Sequence, residues 1–288
     1  MKRRLSILLT LLISMLLFSA CAKKTPVGPQ SVTVNGVSLN YVEKGTGDEA
    51  IIFVHGYSGA LGNWKHVLKL LPDEYHSYAL DLRGFGQSGH PGSYKLTEIV
   101  EDIYAFSQEL GIERFTYVGH SLGGKIGYKF ALDHPDVLKA MFLIAPAPAH
   151  DFIPPEQQAG FIGQMTTVFG SQDMLRGFIA EDFVTPPSEE DINEFIHDVM
   201  AADPAAKAEC AGWWVSTNLE PQLGDITVPT CIVAGAKDRL PLDWERRYAD
   251  AIKGCRFEVL EDVGHMMPYE SPQKLVDLLT GFIKDVNK

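Results

Sequence analysis

The ten residues FTYVGHSLGG, residues 115–124, decide the fold of this chain. The apolar run at residues 115–118 predicts a strand, and residues 124–133 have the pattern of a helix. Between them Ser121 stands in a Gly-x-Ser-x-Gly sequence, which is typical of a serine held on a sharp turn from strand to helix. Glycines flank the serine because a Cβ would clash where strand and helix approach each other. The pattern predicts a nucleophilic serine, although a glycine-rich turn without a catalytic role would use the same residues.

Composition and charge restrict the class of protein. The chain has 288 residues, of which 45% are hydrophobic and 22% charged, as in one large globular domain that carries an insertion. Its net charge is −12, and no cluster of lysine and arginine follows the first few residues, which argues against a nucleic-acid surface. No C-x-x-C or H-E-x-x-H pattern occurs, so no metal site is predicted. Three cysteines, Cys210, Cys231 and Cys255, follow the leader, and the sequence does not choose a disulfide among them.

Residues 1–20 have the pattern of a signal peptide. Basic residues precede an apolar run at residues 5–18, which is short for a membrane-spanning helix. The residues that lead to Cys21 resemble the lipobox of bacterial lipoproteins, which implies an exported protein anchored to the cell envelope through acyl chains on Cys21. Ala22 indicates the periplasmic face of the outer membrane if the cell is Gram-negative, and residues 21–31 are predicted to be a flexible tether. An ordinary signal peptide cleaved nearby is the alternative.

Strand and helix patterns alternate along most of the chain and predict a parallel sheet with helices on both faces. The series begins with two strands around an Asn35-Gly36 turn. It stops at Pro146, after which the pattern is helical for many residues before strands return. We therefore predict a core formed by residues 32–146 and 225–288, with a helical cap, residues 147–224, inserted after the sixth strand. In such folds ligands bind at the carboxyl edge of the sheet, where the cap would lie.

A serine nucleophile needs a histidine base and a carboxylate that orients the base. In this kind of architecture the three follow one another in the order Ser, Asp or Glu, His, in loops at the carboxyl ends of strands. His265 comes directly after the last predicted strand, in a loop that contains a glycine. Asp238 comes directly after the strand that ends at Ala234. The sequence therefore predicts a triad of Ser121, Asp238 and His265.

Two backbone N–H groups are expected to bind the negative oxygen that forms when a serine attacks a carbonyl. One is the amide of Leu122, directly after the serine, and the other is the amide of Tyr57, in the loop after the third strand. His55 is interpreted as a structural hydrogen-bonding residue rather than a base. His120, beside the serine, is expected to point away from the site.

Together these motifs resemble the α/β-hydrolase superfamily. The resemblance covers about residues 32–286 and rests on His55-Gly56, Asp81-x-Arg83-Gly84-x-Gly86-x-Ser88, residues 119–124, Gly235-x-x-Asp238 and Gly264-His265. It implies a mostly parallel sheet of eight strands and the cap-bearing branch of esterases, lactonases and carbon–carbon bond hydrolases. Haloalkane dehalogenases and epoxide hydrolases of this fold use an aspartate nucleophile, so Ser121 argues against them. His120 replaces the asparagine that carbon–carbon bond hydrolases often carry.

The resemblance implies a hydrolase that cleaves carboxylic esters by acyl-enzyme chemistry and needs no cofactor. Because the cap is rich in phenylalanine, methionine and tryptophan, the expected substrate is a small molecule with an apolar part. The same side chains would also serve ordinary helix packing. Two alternatives stay open: a carbon–carbon bond hydrolase or lactonase with the same triad, and a lipoprotein of this fold that binds ligands without catalysis.

Overall fold

The computed structural model describes residues 28–288. Eight strands in this part of the chain form one sheet. Their bounds are β1 Gln30–Val34, β2 Val37–Lys44, β3 Glu49–Val54, β4 Tyr75–Leu80, β5 Phe115–His120, β6 Leu138–Ile144, β7 Thr230–Gly235 and β8 Arg256–Leu260.

The strand order in the sheet is β1-β2-β4-β3-β5-β6-β7-β8. β2 pairs antiparallel with both of its neighbours, and all remaining pairs are parallel. The predicted fold class is thereby confirmed. Since parallel strands end at the same edge, the loops after β3, β5, β7 and β8 meet at one edge of the sheet.

The first hairpin has the predicted Asn-Gly turn. Asn35 and Gly36 have φ values of 49° and 78°, as a type I′ turn requires, and Val34 pairs with Val37 across it. β1 starts two residues before the predicted beginning of the core, because Gln30 already pairs with Tyr41. The end of the predicted tether is therefore part of the sheet.

Ten α-helices lie within residues 28–288. Their bounds are α1 Lys65–Leu70, α2 Leu96–Glu109, α3 Leu122–Asp133, α4 Pro155–Val168, α5 Gln172–Asp182, α6 Glu189–Ala201, α7 Pro204–Ser216, α8 Leu242–Ala251, α9 Met267–Glu270 and α10 Pro272–Val286. Short 3-10 helices cover Leu61–Trp64, Pro135–Val137 and Glu220–Asp225.

Helices cover both faces of the sheet, as the alternating pattern predicts. Neighbouring residues of β3 point to opposite faces, and Ile52 packs in one apolar cluster while Phe53 packs in the other. The first cluster includes buried side chains of α2, α3 and α8, and the second includes those of α1 and α10. The sheet therefore lies between two apolar layers that hold its edge loops in place.

Four helices, α4 to α7, lie between β6 and β7 in the predicted cap region. The segment leaves and rejoins the core at a narrow neck, where the Leu219 N–H donates to the Ala149 carbonyl at 2.7 Å. Three of these helices start at a side chain that caps the backbone: Ser171 for α5, Ser188 for α6 and Asp203 for α7.

Part of the predicted organisation falls on residues that the structure does not describe. The signal peptide, the lipidated Cys21 and most of the tether lie outside the described residues. Within residues 28–288, no helix has both the length and the apolar character needed to span a membrane. In the same range Cys210, Cys231 and Cys255 form no disulfide with one another.

Candidate active site

Ser121 lies on a strained turn between β5 and α3. Its backbone has φ 52° and ψ −115°, a conformation that costs about 1–3 kcal/mol for a residue with a side chain. The turn brings strand and helix so close that a Cβ on Gly119 would collide with the carbonyl of Gly123, and a Cβ on Gly123 with the carbonyl of Val54. This crowding is the physical reason for the two glycines of the motif.

The three residues predicted as a triad lie in hydrogen-bond contact. His265 Nε2 is 2.9 Å from Ser121 Oγ, and His265 Nδ1 is 2.8 Å from Asp238 Oδ2. All three side chains are buried or nearly so. Ser121 follows β5, Asp238 follows β7 and His265 follows β8, so the row of contacts runs along the carboxyl edge of the sheet.

The charges of Asp238 and His265 act on each other. Burial alone would raise the pKa of Asp238, but the charge and hydrogen bond of His265 hold it below its usual range. Burial alone would lower the pKa of His265, but the charge and hydrogen bond of Asp238 raise it above its usual value. The arrangement therefore stabilises an imidazolium, the state that His265 would adopt after taking a proton from Ser121.

The loops that carry Asp238 and His265 pack directly on each other. A Cβ on Gly235 would lie 2.5 Å from the carbonyl oxygen of Gly264, so a glycine is needed where β7 ends. The Asp238 carboxylate also accepts the Leu240 N–H at 2.8 Å, which fixes the turn that presents it.

Glu270, a residue to which the sequence assigned no role, ties the histidine loop to the cap. Its Oε1 accepts the Gly264 N–H at 3.2 Å, and its Oε2 accepts the Val184 N–H at 3.1 Å. Gly264 precedes His265, and Val184 follows α5 in the cap. No motif surrounds Glu270, because its role depends on two segments that are distant along the chain.

The prediction that His120 points away from the site is wrong. Its Nε2 lies 2.9 Å from the backbone oxygen of His265, and its ring forms part of the cavity wall. Burial and the neighbouring His265 lower the pKa of His120 to about 3, so the ring is neutral and donates from Nε2. A buried carbonyl needs a donor, and here the residue before Ser121 supplies one to the histidine loop.

The loop after β3 lies against the serine, as predicted. A Cβ on Gly56 would be only 3.1 Å from Ser121 Cβ. Among the described residues, no acceptor receives the amide hydrogens of Tyr57 or Leu122, and Leu122 is the first residue of α3, where amides lack a partner within the helix. His55 has the predicted structural role, because its ring contacts the Gly56 carbonyl at 2.8 Å and accepts the Leu82 N–H at 3.1 Å.

A cavity of about 300 Å³ opens above Ser121. Its walls are mainly apolar, and half of the lining residues come from the cap. The cap contributes Phe152, Phe161, Met165, Phe169, Phe178, Phe195 and Trp214, and the core contributes Tyr57, Leu240 and Met266 among others. Apolar cap residues thus line the cavity, and some of them also pack between helices, since Trp214 and Phe169 contact Tyr57. Whether the cavity binds an acyl chain stays a prediction.

Comparison with known proteins agrees with the fold. Residues 49–188 match the family model described as alpha/beta hydrolase fold. The chain is 25% identical to a soluble epoxide hydrolase of Corynebacterium sp. (strain C12), over 90% of this chain and 98% of that protein. It is 24% identical to 3-oxoadipate enol-lactonase 2 of Acinetobacter baylyi, over 89% of this chain and 97% of that protein.

Two further similarities differ in extent. The solved structure of an esterase from Exiguobacterium antarcticum superposes with a TM-score of 0.80 at 25% identity, covering 87% of this chain and 97% of the esterase. The acetyltransferase component of the acetoin cleaving system of Cupriavidus necator is 35% identical over 134 residues, but this match spans only 46% of the present chain and 36% of that protein.

Proposed function

We propose that this chain, a hydrolase of the α/β-hydrolase superfamily, cleaves carboxylic esters through an acyl-enzyme on Ser121. The observation that carries the proposal is the unbroken row of hydrogen-bond contacts from Ser121 through His265 to Asp238 beneath an apolar cavity. A serine without such a base is a weak nucleophile, whereas this arrangement supplies both a proton acceptor and a group that orients it.

In the first half of the reaction the Ser121 hydroxyl attacks the ester carbonyl. His265 Nε2 takes the hydroxyl proton and then gives it to the departing alcohol. Asp238 holds Nδ1 protonated and stabilises the imidazolium between these two transfers. The carbonyl oxygen becomes negative, and we assign the amides of Leu122 and Tyr57 as its two donors.

In the second half of the reaction a water molecule replaces the alcohol. His265 removes a proton from the water, which attacks the acyl group on Ser121 and releases the carboxylic acid. The same donors bind the oxyanion again. Besides the ester, water is the one reactant that these steps use.

The cavity limits the size of the substrate. A group the size of a water molecule occupies about 30 Å³, so a cavity of about 300 Å³ holds roughly ten non-hydrogen atoms. Because most of the wall is apolar, short and medium acyl chains are favoured over polar or very long ones.

Activity of the Ser121→Ala variant tests the proposal. We expect wild type to hydrolyse p-nitrophenyl esters and to bind a fluorophosphonate covalently, and Ser121→Ala to lose about 10⁴-fold or more in turnover together with all labelling. Ser107→Ala, at a buried serine of α2 away from the cavity, is the matched control.

Other outcomes of the same assay would exclude ester cleavage by Ser121. Full turnover by Ser121→Ala would contradict the assignment of the nucleophile. Turnover of lactones or vinylogous diketones without turnover of simple esters would favour the lactonase or the carbon–carbon bond hydrolase. If wild type neither cleaves any of these compounds nor reacts with the fluorophosphonate, a ligand-binding protein is the better interpretation.

We also propose that the protein is an exported lipoprotein attached to the cell envelope through Cys21. The support is in the sequence alone: a basic start, an apolar run and small residues before Cys21. Gln30, the first residue of β1, lies nine positions after Cys21, so an anchor there would be joined to the sheet by a short segment.

A further inference from the structure

An ion pair interrupts the aromatic wall of the cavity above Ser121. Asp182, the last residue of α5, is 7% exposed, and its Oδ1 lies 2.9 Å from Nη1 of Arg239. Arg239 is 43% exposed, and its guanidinium lies 4.2 Å from the centre of the Phe178 ring. Asp182 and Arg239 both line the cavity, whereas most of the side chains around them are apolar.

The Asp182 carboxylate has unused capacity for hydrogen bonds. Although its Oδ1 is close to Arg239, it receives no hydrogen bond from residues 28–288, because the geometry of the contact is not that of a hydrogen bond. A buried carboxylate is costly unless donors satisfy it, and a neighbouring charge alone does not do so. The half-exposed Arg239 has five N–H groups, and none of them donates a hydrogen bond to Asp182. The pair therefore offers a ligand both an acceptor and donors.

The ion pair of Asp182 and Arg239 lies beside the acid and the base of the predicted triad. Arg239 directly follows Asp238, and a Cβ on Gly264, next to His265, would lie 3.0 Å from the backbone oxygen of Asp182. The pair thus flanks the acid and base of the triad. Because His265 hands its proton to the departing alcohol, groups on this side of the cavity meet the alcohol part of an ester rather than its acyl chain.

We infer that Asp182 and Arg239 bind a free hydroxyl group on the alcohol part of the substrate, so that monoesters of diols or polyols are preferred. A hydroxyl donates one hydrogen bond and accepts others, which is the combination that the pair offers. A carboxylate on the substrate would face Asp182, and an ammonium would face Arg239, so a neutral group is favoured. This inference rests on the proposed ester hydrolysis.

Two esters of equal size provide the test: 2-hydroxyethyl hexanoate and propyl hexanoate. Since a hydrogen bond to a charged group is involved, wild type should have a kcat/KM about 10- to 100-fold higher for the hydroxyl ester. In Asp182→Leu this ratio should fall close to one. Glu181→Gln, which removes the same charge from the exposed neighbouring residue, should keep the wild-type ratio. If Asp182→Leu does not fold, Arg239→Gln at its half-exposed position replaces it in the same comparison.

The outcomes separate this inference from the proposed function. Turnover of both esters without preference, or an equal ratio in Asp182→Leu and Glu181→Gln, would overturn the hydroxyl site and leave ester hydrolysis intact. Failure of wild type to cleave either ester would instead reject both the hydroxyl site and the proposed ester hydrolysis. A purely structural role for Asp182 would lower turnover of the two esters by the same factor and leave their ratio at the wild-type value.

Discussion

Asp238 and His265 illustrate how two buried groups set each other's charge. Each pKa is moved by burial in one direction and by the partner in the other, and the partner prevails in both cases. His265 must be neutral to accept the proton of Ser121, so its raised pKa decides the pH at which the proposed reaction begins.

The Asp238→Asn variant tests whether Asp238 sets the charge of His265. In wild type we expect kcat/KM to rise with pH through an inflection above 6.5, the ordinary value for histidine. Asp238→Asn removes the charge that raises the pKa of His265, so the inflection should move to lower pH while the plateau falls by about 10⁴-fold. Profiles of kcat/KM between pH 5 and 9 measure both effects.

A neighbouring acid provides the control for this profile. Asp262→Asn removes an exposed carboxylate whose partner is Lys237, and its inflection should coincide with that of wild type. If the inflection of Asp238→Asn also coincides with that of wild type, Asp238 does not set the charge of His265.

The sequence located some residues of the site and missed others for a physical reason. Ser121, Asp238 and His265 stand in loops directly after strands, and their order along the chain is enough to bring them to one edge of the sheet. Asp182 and Glu270 act through contacts between the cap and the core. Such contacts depend on how distant segments pack, and no local pattern encodes that.

At the scale of elements, α3 contains a lysine where burial is least expected. Lys125 is fully buried one turn after Ser121, and its ammonium donates to the carbonyls of Trp214 at 2.6 Å and Thr217 at 2.7 Å. Both acceptors lie at the end of α7, where the helix leaves carbonyls unpaired. Lys125 thus joins the helix behind the nucleophile to a helix that lines the cavity.

Removal of this lysine should change how stability depends on pH. Burial lowers the pKa of Lys125 to about 7, with partial opposition from Asp151, so the folded protein releases this proton before the unfolded chain does. From about pH 7 to 10 wild type should therefore gain up to about 1.4 kcal/mol per pH unit in free energy of unfolding relative to Lys125→Met. Urea denaturation at each pH measures the difference.

Another lysine of α3 controls for the loss of one positive charge. Lys129 lies one turn further along and pairs with Asp133 at 2.5 Å near the surface. Lys129→Met therefore separates the effect of burial from that of net charge. Parallel stability curves for wild type and Lys125→Met would contradict the account of Lys125.

The bounds of several elements could be predicted from the sequence, because local signals mark them. β4 ends at Leu80, directly before the polar Asp81, and α10 begins at Pro272, a residue that favours the first position of a helix. α3 begins at Leu122, two residues before the predicted start, because the two glycines that weaken a helix pattern are required by the crowded turn.

For the whole molecule, attachment to a membrane is the main prediction. If Cys21 is lipidated, wild type should incorporate labelled fatty acid and sediment with membranes, and Cys21→Ala should lose both properties. Cys255→Ala, which removes a half-buried cysteine from the folded core, should behave as wild type does. Unchanged sedimentation of Cys21→Ala would contradict an anchor at this residue.

The neck of the cap has a consequence for the sheet below it. The hydrogen bond between Ala149 and Leu219 holds the two ends of the cap segment side by side. The four helices between them therefore connect β6 to β7 in the way that a single loop would. Changes of length within that segment would leave the pairing of β5, β6 and β7 intact, because both ends of the segment leave the core at the same place. The walls of the cavity can therefore change through one segment of the chain, whereas Ser121, Asp238 and His265 stand on loops of the core.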